Sequence, residues 1–217
     1  MVHAFYFNTP LEKNWWGHIF SEIYKDKIFA PFVEGKKDLT IIDIGANLGL
    51  TSYYFSQFAK QVYSLEPAVS HFNLLTRMIK FNEIKNIKAI PKAIWLENTK
   101  LPFFHNDNRT MYSLHMAVDD KSSPPEEVET ITFDKLFEDE KIDHANLVKV
   151  DVEGSEMEIL ASEGFAKVAP KIDTIVVEYH SWSQRHPNQL NDALKGNGFE
   201  VSTIPSSAEI IVGRRKQ

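Results

Sequence analysis

The sequence of 217 residues contains no cysteine. This absence excludes disulfide bonds, thiolate metal sites and cysteine nucleophiles together. Long apolar runs are absent as well, and no stretch approaches the roughly 20 residues that a helix needs to span a bilayer. Residues 1–10 lack a basic region followed by an apolar run, which is the pattern of a secretory signal. The sequence therefore predicts a cytoplasmic protein without a membrane span.

Positive charge is also scarce, since 24 lysines and arginines face 30 aspartates and glutamates for a net charge of −6. Proteins that bind nucleic acid normally have a basic surface, so we expect no nucleic-acid partner, although a small local basic patch stays compatible with this balance. A hydrophobic content of 43% with 25% charged residues is ordinary for a globular protein. The length suits one sizeable domain rather than two.

The first 38 residues are rich in aromatic side chains and differ in pattern from the rest. Trp15, Ile19 and Ile23 follow helical spacing, which predicts a helix over about residues 14–30. Aromatic stripes usually pack in a core, so this helix either packs on the domain or forms a lid over a substrate pocket. We divide the chain into an N-terminal segment, residues 1–38, and one domain, residues 39–217.

From residue 39 onward, strand and helix patterns alternate. Short β-branched runs predict buried strands at residues 39–44, 61–66, 87–94, 147–152 and 174–179, with a break at Pro91. Helical patterns fall between them, at residues 48–58, 69–82, 155–163 and 188–195. Residues 97–127 are polar and predict a surface loop with a short β excursion at residues 101–104.

Two final segments, residues 199–203 and 209–212, lie close enough in the chain to pair as an antiparallel hairpin. Together with the alternating pattern, they predict an α/β, Rossmann-like fold. Its mainly parallel seven-stranded sheet would carry helices on both faces and the hairpin at its C-terminal end.

A glycine-containing loop follows the first predicted strand. Asp43, Gly45, Asn47 and Gly49 lie in the run D-I-G-A-N-L-G between that strand and a helix, and Glu66 ends the next strand. Glycines let a loop turn tightly around a nucleotide-like ligand, and an acidic residue at the second strand accepts hydrogen bonds from ribose hydroxyls. This order predicts a nucleoside-binding site at these five residues.

The ligand that this loop favours is S-adenosylmethionine rather than NAD. The glycine spacing is G-x-x-x-G instead of G-x-G-x-x-G, and the carboxylate of Asp43 would repel a pyrophosphate while it suits a cationic methionyl group. Two structural alternatives stay open: Asp43 could brace the loop, and Asn47 could cap the following helix.

Three stretches of the chain resemble the FkbM family of methyltransferases. They are I-D-I-G-A-N-L-G at residues 42–49, the pair Glu66-Pro67, and K-V-D-V-E-G-S-E at residues 149–156; weaker matches are Ser113-Leu114 and Glu178-Tyr179-His180. The resemblance covers roughly residues 39–182. It implies a class I methyltransferase fold, S-adenosylmethionine as donor, and a hydroxyl acceptor on a sugar, a glycan or a secondary metabolite.

The reacting centre is expected at the carboxyl ends of the fourth and fifth strands. Asp151, Glu178 and His180 are the candidate catalytic residues, since a base that takes the acceptor proton accelerates such a reaction by about 10²–10⁴-fold. Candidate acceptor contacts are Arg109, Ser113 and Glu153. Glu156 is read as an acidic residue that favours a helix N-terminus. Asp151, Glu153, Glu178 and His180 have the chemistry of metal ligands, but their spacing matches no established motif, and we predict no metal.

Two other functions compete with methyl transfer. An NAD(P)-dependent oxidoreductase would share the strand–loop–helix order, but it would favour a third loop glycine or an arginine for a 2′-phosphate. A catalytically silent nucleotide-binding module would keep the loop without turnover. The expected partner is a small-molecule or glycan acceptor, and the pattern does not fix the oligomeric state.

Overall fold

The computed structural model describes residues 17, 19–105, 112–114, 124–180, 187–204 and 209–216. Its strands, in chain order, are β1 (Leu39–Ile44), β2 (Ala59–Leu65), β3 (Ile87–Ile90), β4 (Ala93–Ile94), β5 (Lys100–His105), β6 (Tyr112–Ser113), β7 (Glu126–Ile131), β8 (Ala145–Val150), β9 (Ile172–Tyr179), β10 (Phe199–Ile204) and β11 (Glu209–Arg215).

The helices are short except for two. They are α1 (Ala30–Val33), α2 (Leu50–Ser56), α3 (Val69–Phe81), α4 (Phe133–Asp139), α5 (Glu156–Leu160), α6 (Glu163–Val168) and α7 (Pro187–Gly196). A π-helical turn covers Ser21–Lys25, and a 3₁₀ turn covers Ala169–Lys171. No helix within the described ranges has both the length and the apolar character needed to cross a membrane.

The main sheet has seven strands in the order β10-β11-β9-β8-β1-β2-β3. The five strands from β9 to β3 are parallel, and β11 pairs antiparallel with both β9 and β10. This confirms the predicted fold, including its C-terminal hairpin. Strand order reverses at β1, with β2 on one side and β8 on the other. In an open α/β sheet, ligands bind in the crevice outside the carboxyl ends at such a reversal.

Alternate side chains of the central strands serve two cores. Ile41 packs with one cluster, whereas Ile42 packs with the cluster on the opposite face, because successive side chains of a strand point to opposite faces. Both residues are fully buried. Burial on both faces is the reason why the central strands read as nearly continuous apolar runs.

The described part of the N-terminal segment packs on the sheet. Ile23, Phe29, Phe32 and Val33 belong to the same core cluster as Ile41. The helix predicted over residues 14–30 is confirmed in part: residues 19–25 are helical, the last five of them as the π-helical turn, but the helix does not continue to residue 30. Lys27 adopts a left-handed backbone with φ 55°, which ends the helical path after the π-helical turn, and α1 starts afresh at Ala30.

The helix predicted over residues 155–163 is two helices, α5 and α6. Ser162 separates them, and its hydroxyl oxygen accepts a hydrogen bond from the Phe165 backbone N–H at 3.1 Å. Serine is a favoured N-cap because its oxygen satisfies an N–H that has no partner within the helix. Ser162 therefore begins a second helix, whereas hydrophobic periodicity alone predicted that the first helix continues.

A second sheet of four strands, in the order β4-β7-β5-β6, flanks the main one. The break at Pro91 is confirmed, since β3 belongs to the main sheet and β4 to the second. The excursion around residues 101–104 is also confirmed and lies in β5. Neither β7 nor α4 was predicted. This second sheet brings Phe103 to the edge of the crevice described next.

Candidate active site

Two cavities adjoin at the carboxyl ends of β1 and β8. The β2-side cavity is lined by Leu65, Glu66, Pro67, His71, Ile94, Phe103 and Leu114, among others. The β9-side cavity, of about 210 Å³, is lined by Ile19, Glu22, Ile23, Phe29, Lys149, Glu178 and His180, among others. Gly45, Asn47, Asp151 and Glu153 line both. The two cavities thus form one crevice with a shared rim.

Gly45 lets the two central strands approach each other at this rim. Its φ is 74°, and a Cβ built on it would lie 1.8 Å from the carbonyl oxygen of Asp151. The loop is fixed further because the backbone N–H groups of Gly45 and Ala46 both donate to the Leu65 carbonyl, at 3.0 and 2.9 Å. Any side chain at position 45 would push the loop away from the residue that follows β8.

Gly49 allows α3 to pack closely against the loop and lines neither cavity. Its φ is 89°, and an added Cβ would lie 2.6 Å from side-chain atoms of both Leu75 and Met78 on α3. Gly49 is also the N-cap of α2. Its predicted place in the loop is confirmed, but it lines neither cavity.

Asn47 does not cap α2, so that alternative is wrong: the helix starts at Leu50 and its cap residue is Gly49. Asn47 instead adopts φ 50°, and its backbone N–H donates to Glu66 Oε2 at 2.8 Å. Its buried side-chain oxygen Oδ1 finds no hydrogen-bond partner among the described residues. A buried acceptor at the rim of a cavity suits a donor group carried by a ligand.

Glu66 is a buried carboxylate in the wall of the β2-side cavity, only 4% exposed. Its Oε1 accepts from the Ala68 backbone N–H at 2.9 Å. Burial raises the pKa of Glu66 to about 7. The apolar walls formed by Leu65, Ile94 and Phe103, next to the Glu66 carboxylate, suit a nucleoside, which has a flat apolar base and a diol that donates hydrogen bonds.

Asp43 is completely buried and lines neither cavity. Its Oδ2 accepts from the Ser52 hydroxyl at 2.6 Å, and its Oδ1 lies 3.4 Å from Lys149 Nζ. Asp43 therefore braces the loop after β1 from beneath, as the structural alternative expected.

Lys149 is the buried cation that joins β1 to β8 beneath the loop. Its Nζ donates to the Gly45 carbonyl at 2.7 Å and lies 3.1 Å from Asp151 Oδ2. Burial lowers the pKa of Lys149, but the carboxylates of Asp151 and Asp43 outweigh it and raise that pKa above its ordinary value. Two carboxylates and a carbonyl thus hold the lysine as a cation and fix the floor of the crevice.

His180 follows β9 and is surrounded by carboxylates. Its Nε2 lies 3.3 Å from Glu153 Oε2 and 3.9 Å from Asp151 Oδ1, and its Nδ1 lies 2.8 Å from Glu156 Oε1. Burial lowers the pKa of His180, but the hydrogen bond to Glu156 and the charges of Glu153 and Asp151 raise it to about 9.

The neighbouring carboxyl groups are shifted as well. Burial, reinforced by the charge of Asp151, raises the pKa of Glu153 to about 7 and that of Glu178 to about 8. Asp151, Glu153, Glu178 and His180 therefore meet in the β9-side cavity, where the sequence grouped them, and three of them titrate near neutral or mildly alkaline pH.

Asp151, Glu153 and His180 are also residue types that bind divalent ions, and one suitable atom of each lies within 4.8 Å of the others. The same separations suit ion pairs with a protonated histidine, so the geometry favours neither use. That the chain holds no metal stays a prediction.

Two predicted acceptor contacts cannot be placed. Arg109 lies outside the described residues, and of Ser113 the structure describes only the backbone, in β6. Two carboxylates near the site were missed. Glu22, on the π-helical turn, lines the β9-side cavity, and Glu156, only 1% exposed, lies behind His180. The signal for Glu156 was its place three residues after Glu153, in the same K-V-D-V-E-G-S-E stretch.

Comparison with known proteins places this geometry among methyltransferases. A family model described as the methyltransferase FkbM domain matches residues 43–201, most of the chain, and confirms the resemblance drawn from the sequence. Hexuronic acid methyltransferase AglP of Haloferax volcanii is 24% identical over 88% of this chain and 77% of its own length. Methyltransferase sdnD of Sordaria araneosa is 24% identical over 91% of this chain and 89% of its own.

A solved structure shares the fold. The structure titled methyltransferase FkbM, from Methylobacillus flagellatus KT, matches with a TM-score of 0.58 at 14% identity, over 90% of this chain and 47% of that one. At this identity the likeness concerns the arrangement of strands and helices alone.

Proposed function

The chain belongs to the FkbM methyltransferase family and uses S-adenosylmethionine, and from this premise we propose that it methylates a hydroxyl oxygen of a sugar, a glycan or a hydroxylated secondary metabolite. The observation that carries this proposal is the shared rim of the two cavities. A nucleoside-type cavity and a cavity with ionisable groups meet at Gly45, Asn47 and Asp151. A donor and an acceptor placed on either side would have their reacting atoms in contact.

The β2-side cavity is the proposed donor site. Glu66 would accept hydrogen bonds from the ribose hydroxyls, and the partnerless Asn47 Oδ1 would accept from the methionyl end at the rim. When bound, S-adenosylmethionine supplies an electrophilic methyl group: the acceptor oxygen forms the new C–O bond while the electron pair of the old bond returns to sulfur.

The β9-side cavity is the proposed acceptor site. Positioning supplies most of the acceleration in such a displacement, and a base contributes about 10²–10⁴-fold. His180 is the proposed base, since its Nε2 side faces Asp151 and Glu153, which line this cavity. The hydroxyl proton moves to Nε2, and Asp151 and Glu178 stabilise the imidazolium that results. Because the pKa of His180 is about 9, turnover should increase as the pH rises towards that value.

One relative is a hexuronic acid methyltransferase, which supports a sugar as the acceptor. Fold alone does not identify an acceptor, because unrelated chemistries share this architecture. The ionisable residues around the β9-side cavity are therefore stronger support for an alcohol acceptor than the similarity to relatives, because they supply a base that can take the hydroxyl proton.

The test is a transfer assay with S-adenosylmethionine labelled on its methyl group. The acceptors are a neutral methyl hexoside, the matching hexuronic acid and a catechol, each compared before and after mild alkali. We expect alkali-stable label, which marks an ether, and a loss of about 10²-fold or more in His180→Gln. The exposed variant Glu163→Gln is the control. Alkali-labile label would mark a carboxyl ester and contradict O-methylation of a hydroxyl. Oxidation of NADH with no transfer would contradict a methyltransferase altogether.

A further inference from the structure

The carboxylate of Glu156 has an arrangement that the proposed chemistry above does not use. It lies on the first turn of α5, behind the β9-side cavity rather than in its wall, and is 1% exposed. A buried carboxylate is costly unless it is well hydrogen-bonded. Its Oε1 receives three hydrogen-bond donors from two different segments of the chain.

Two of the donors belong to the turn after β8. The backbone N–H groups of Val152 and Gly154 point to Glu156 Oε1 at 3.4 and 3.1 Å. Between them lies Glu153, whose φ of 53° is unfavourable for a residue with a side chain. Glu156 therefore holds the turn that brings Glu153 into the cavity.

The third donor is His180 Nδ1, at 2.8 Å. Because an ionised carboxylate only accepts, Nδ1 must carry a hydrogen, and this fixes both the tautomer and the plane of the ring. His180 Nε2 is then directed to Glu153 and Asp151, which line the cavity.

We propose that Glu156 is a positioning residue that holds His180 in its Nδ1–H form and presents His180 Nε2, together with Glu153, to the acceptor. This inference rests on the proposed function for the use of Nε2, while the pairing itself can be tested without turnover. Glu156 touches neither cavity, so its effect on a reaction would pass through His180 and the turn after β8.

Other charged groups also act on His180. Asp151 and Glu153 raise its pKa, and Glu178 interacts with it through its charge. Lys149 and Glu22 line the same cavity. The loss of Glu156 should therefore move the titration of His180 downward from about 9 towards its ordinary 6.5 without restoring it fully.

The first experiment is NMR of the imidazole nitrogens in the full chain, with S-adenosylhomocysteine added so that no transfer occurs. In the wild type, above its titration, His180 should be the Nδ1–H tautomer; the Nε2–H tautomer would overturn the proposal with no variant needed. In Glu156→Gln the titration should move downward, and in the exposed control Glu163→Gln it should stay. An unmoved titration in a folded Glu156→Gln would also overturn it.

The second experiment is a double-mutant cycle with Glu156→Gln and His180→Gln, using the most reactive acceptor of the transfer assay. Glu156→Gln should lower the plateau of kcat at high pH by about 10–100-fold and move the pH profile of kcat downward, with the KM for S-adenosylmethionine little changed. In the His180→Gln background the same substitution should cost much less, because only its effect through the turn after β8 remains. Full additivity would show that Glu156 acts independently of His180. Failure of every acceptor would refute the proposed function while the NMR result still decided the pairing.

Discussion

Substitution of Gly45 by alanine tests the close approach that joins the two halves of the crevice. The added Cβ would lie 1.8 Å from the Asp151 carbonyl oxygen, whereas contacts of real Cβ atoms begin near 3.0 Å. The loop after β1 and the residue after β8 would have to separate by roughly 1 Å. A displacement of that size between groups that position a substrate lowers turnover by about 10²-fold.

The stability cost of Gly45→Ala has two parts. A left-handed backbone with φ 74° costs an alanine about 1–2 kcal/mol, and relief of the overlap adds about 1–3 kcal/mol. Gly35 offers a matched control, because it has a φ of 78° with no heavy atom near its Cβ position. Gly35→Ala should show the backbone cost alone.

The assay is urea unfolding of both variants beside calorimetric titration with S-adenosylmethionine. We expect Gly45→Ala to lose more unfolding free energy than Gly35→Ala and to bind the cofactor more weakly, while Gly35→Ala binds normally. Equal losses in the two variants, with normal binding in both, would refute the argument that Gly45 is required by its contact with Asp151.

Two further predictions concern buried charges. Lys149→Met leaves Asp43 buried without its cation and should lower the unfolding free energy by about 3–5 kcal/mol. The control Lys167→Met removes an exposed pair with Asp134 and should change the unfolding free energy little. Similar urea midpoints in the two variants would contradict this. Burial raises the pKa of Glu66 from 4.5 to about 7. The stability that the protonated side chain contributes is therefore fully present below pH 4.5 and is lost as the pH rises through 7. Urea unfolding from pH 5 to 8 should therefore show a shallower decline in Glu66→Gln than in the wild type, and identical slopes would count against the shifted pKa.

Much of the sheet could be predicted because its central strands are buried on both faces. Ile41 and Ile42 serve opposite cores, so both must be apolar and the run is easily recognised. The unpredicted β7 lacks that signal. Thr130 lies inside this strand and is buried. Its hydroxyl accepts from the Thr99 backbone N–H at 3.0 Å and donates to the Glu97 carbonyl at 2.6 Å, contacts that no local pattern reveals.

The candidate site divides in the same way. Residues that end parallel strands, such as Glu66, Asp151 and His180, could be grouped from strand order alone, since those ends lie along one edge of the sheet. The burial of a side chain and its pairing with residues distant in the chain could not be predicted in this way. Asp43 has the same type of side chain as Asp151 but lies beneath the loop. Glu156 meets His180 across 24 positions of the chain, a contact that its place at a helix N-terminus does not reveal.

The division of the crevice into a donor half and an acceptor half is tested most directly by calorimetric titration of S-adenosylmethionine into Glu66→Gln and His180→Gln, side by side. Hydrogen bonds to a charged group contribute about 1.5–3 kcal/mol, so Glu66→Gln should bind the cofactor about 10–100-fold more weakly. His180→Gln should bind it like the wild type while losing methyl transfer. Normal cofactor binding by Glu66→Gln, together with loss of binding by His180→Gln, would contradict the assignment of the two cavities.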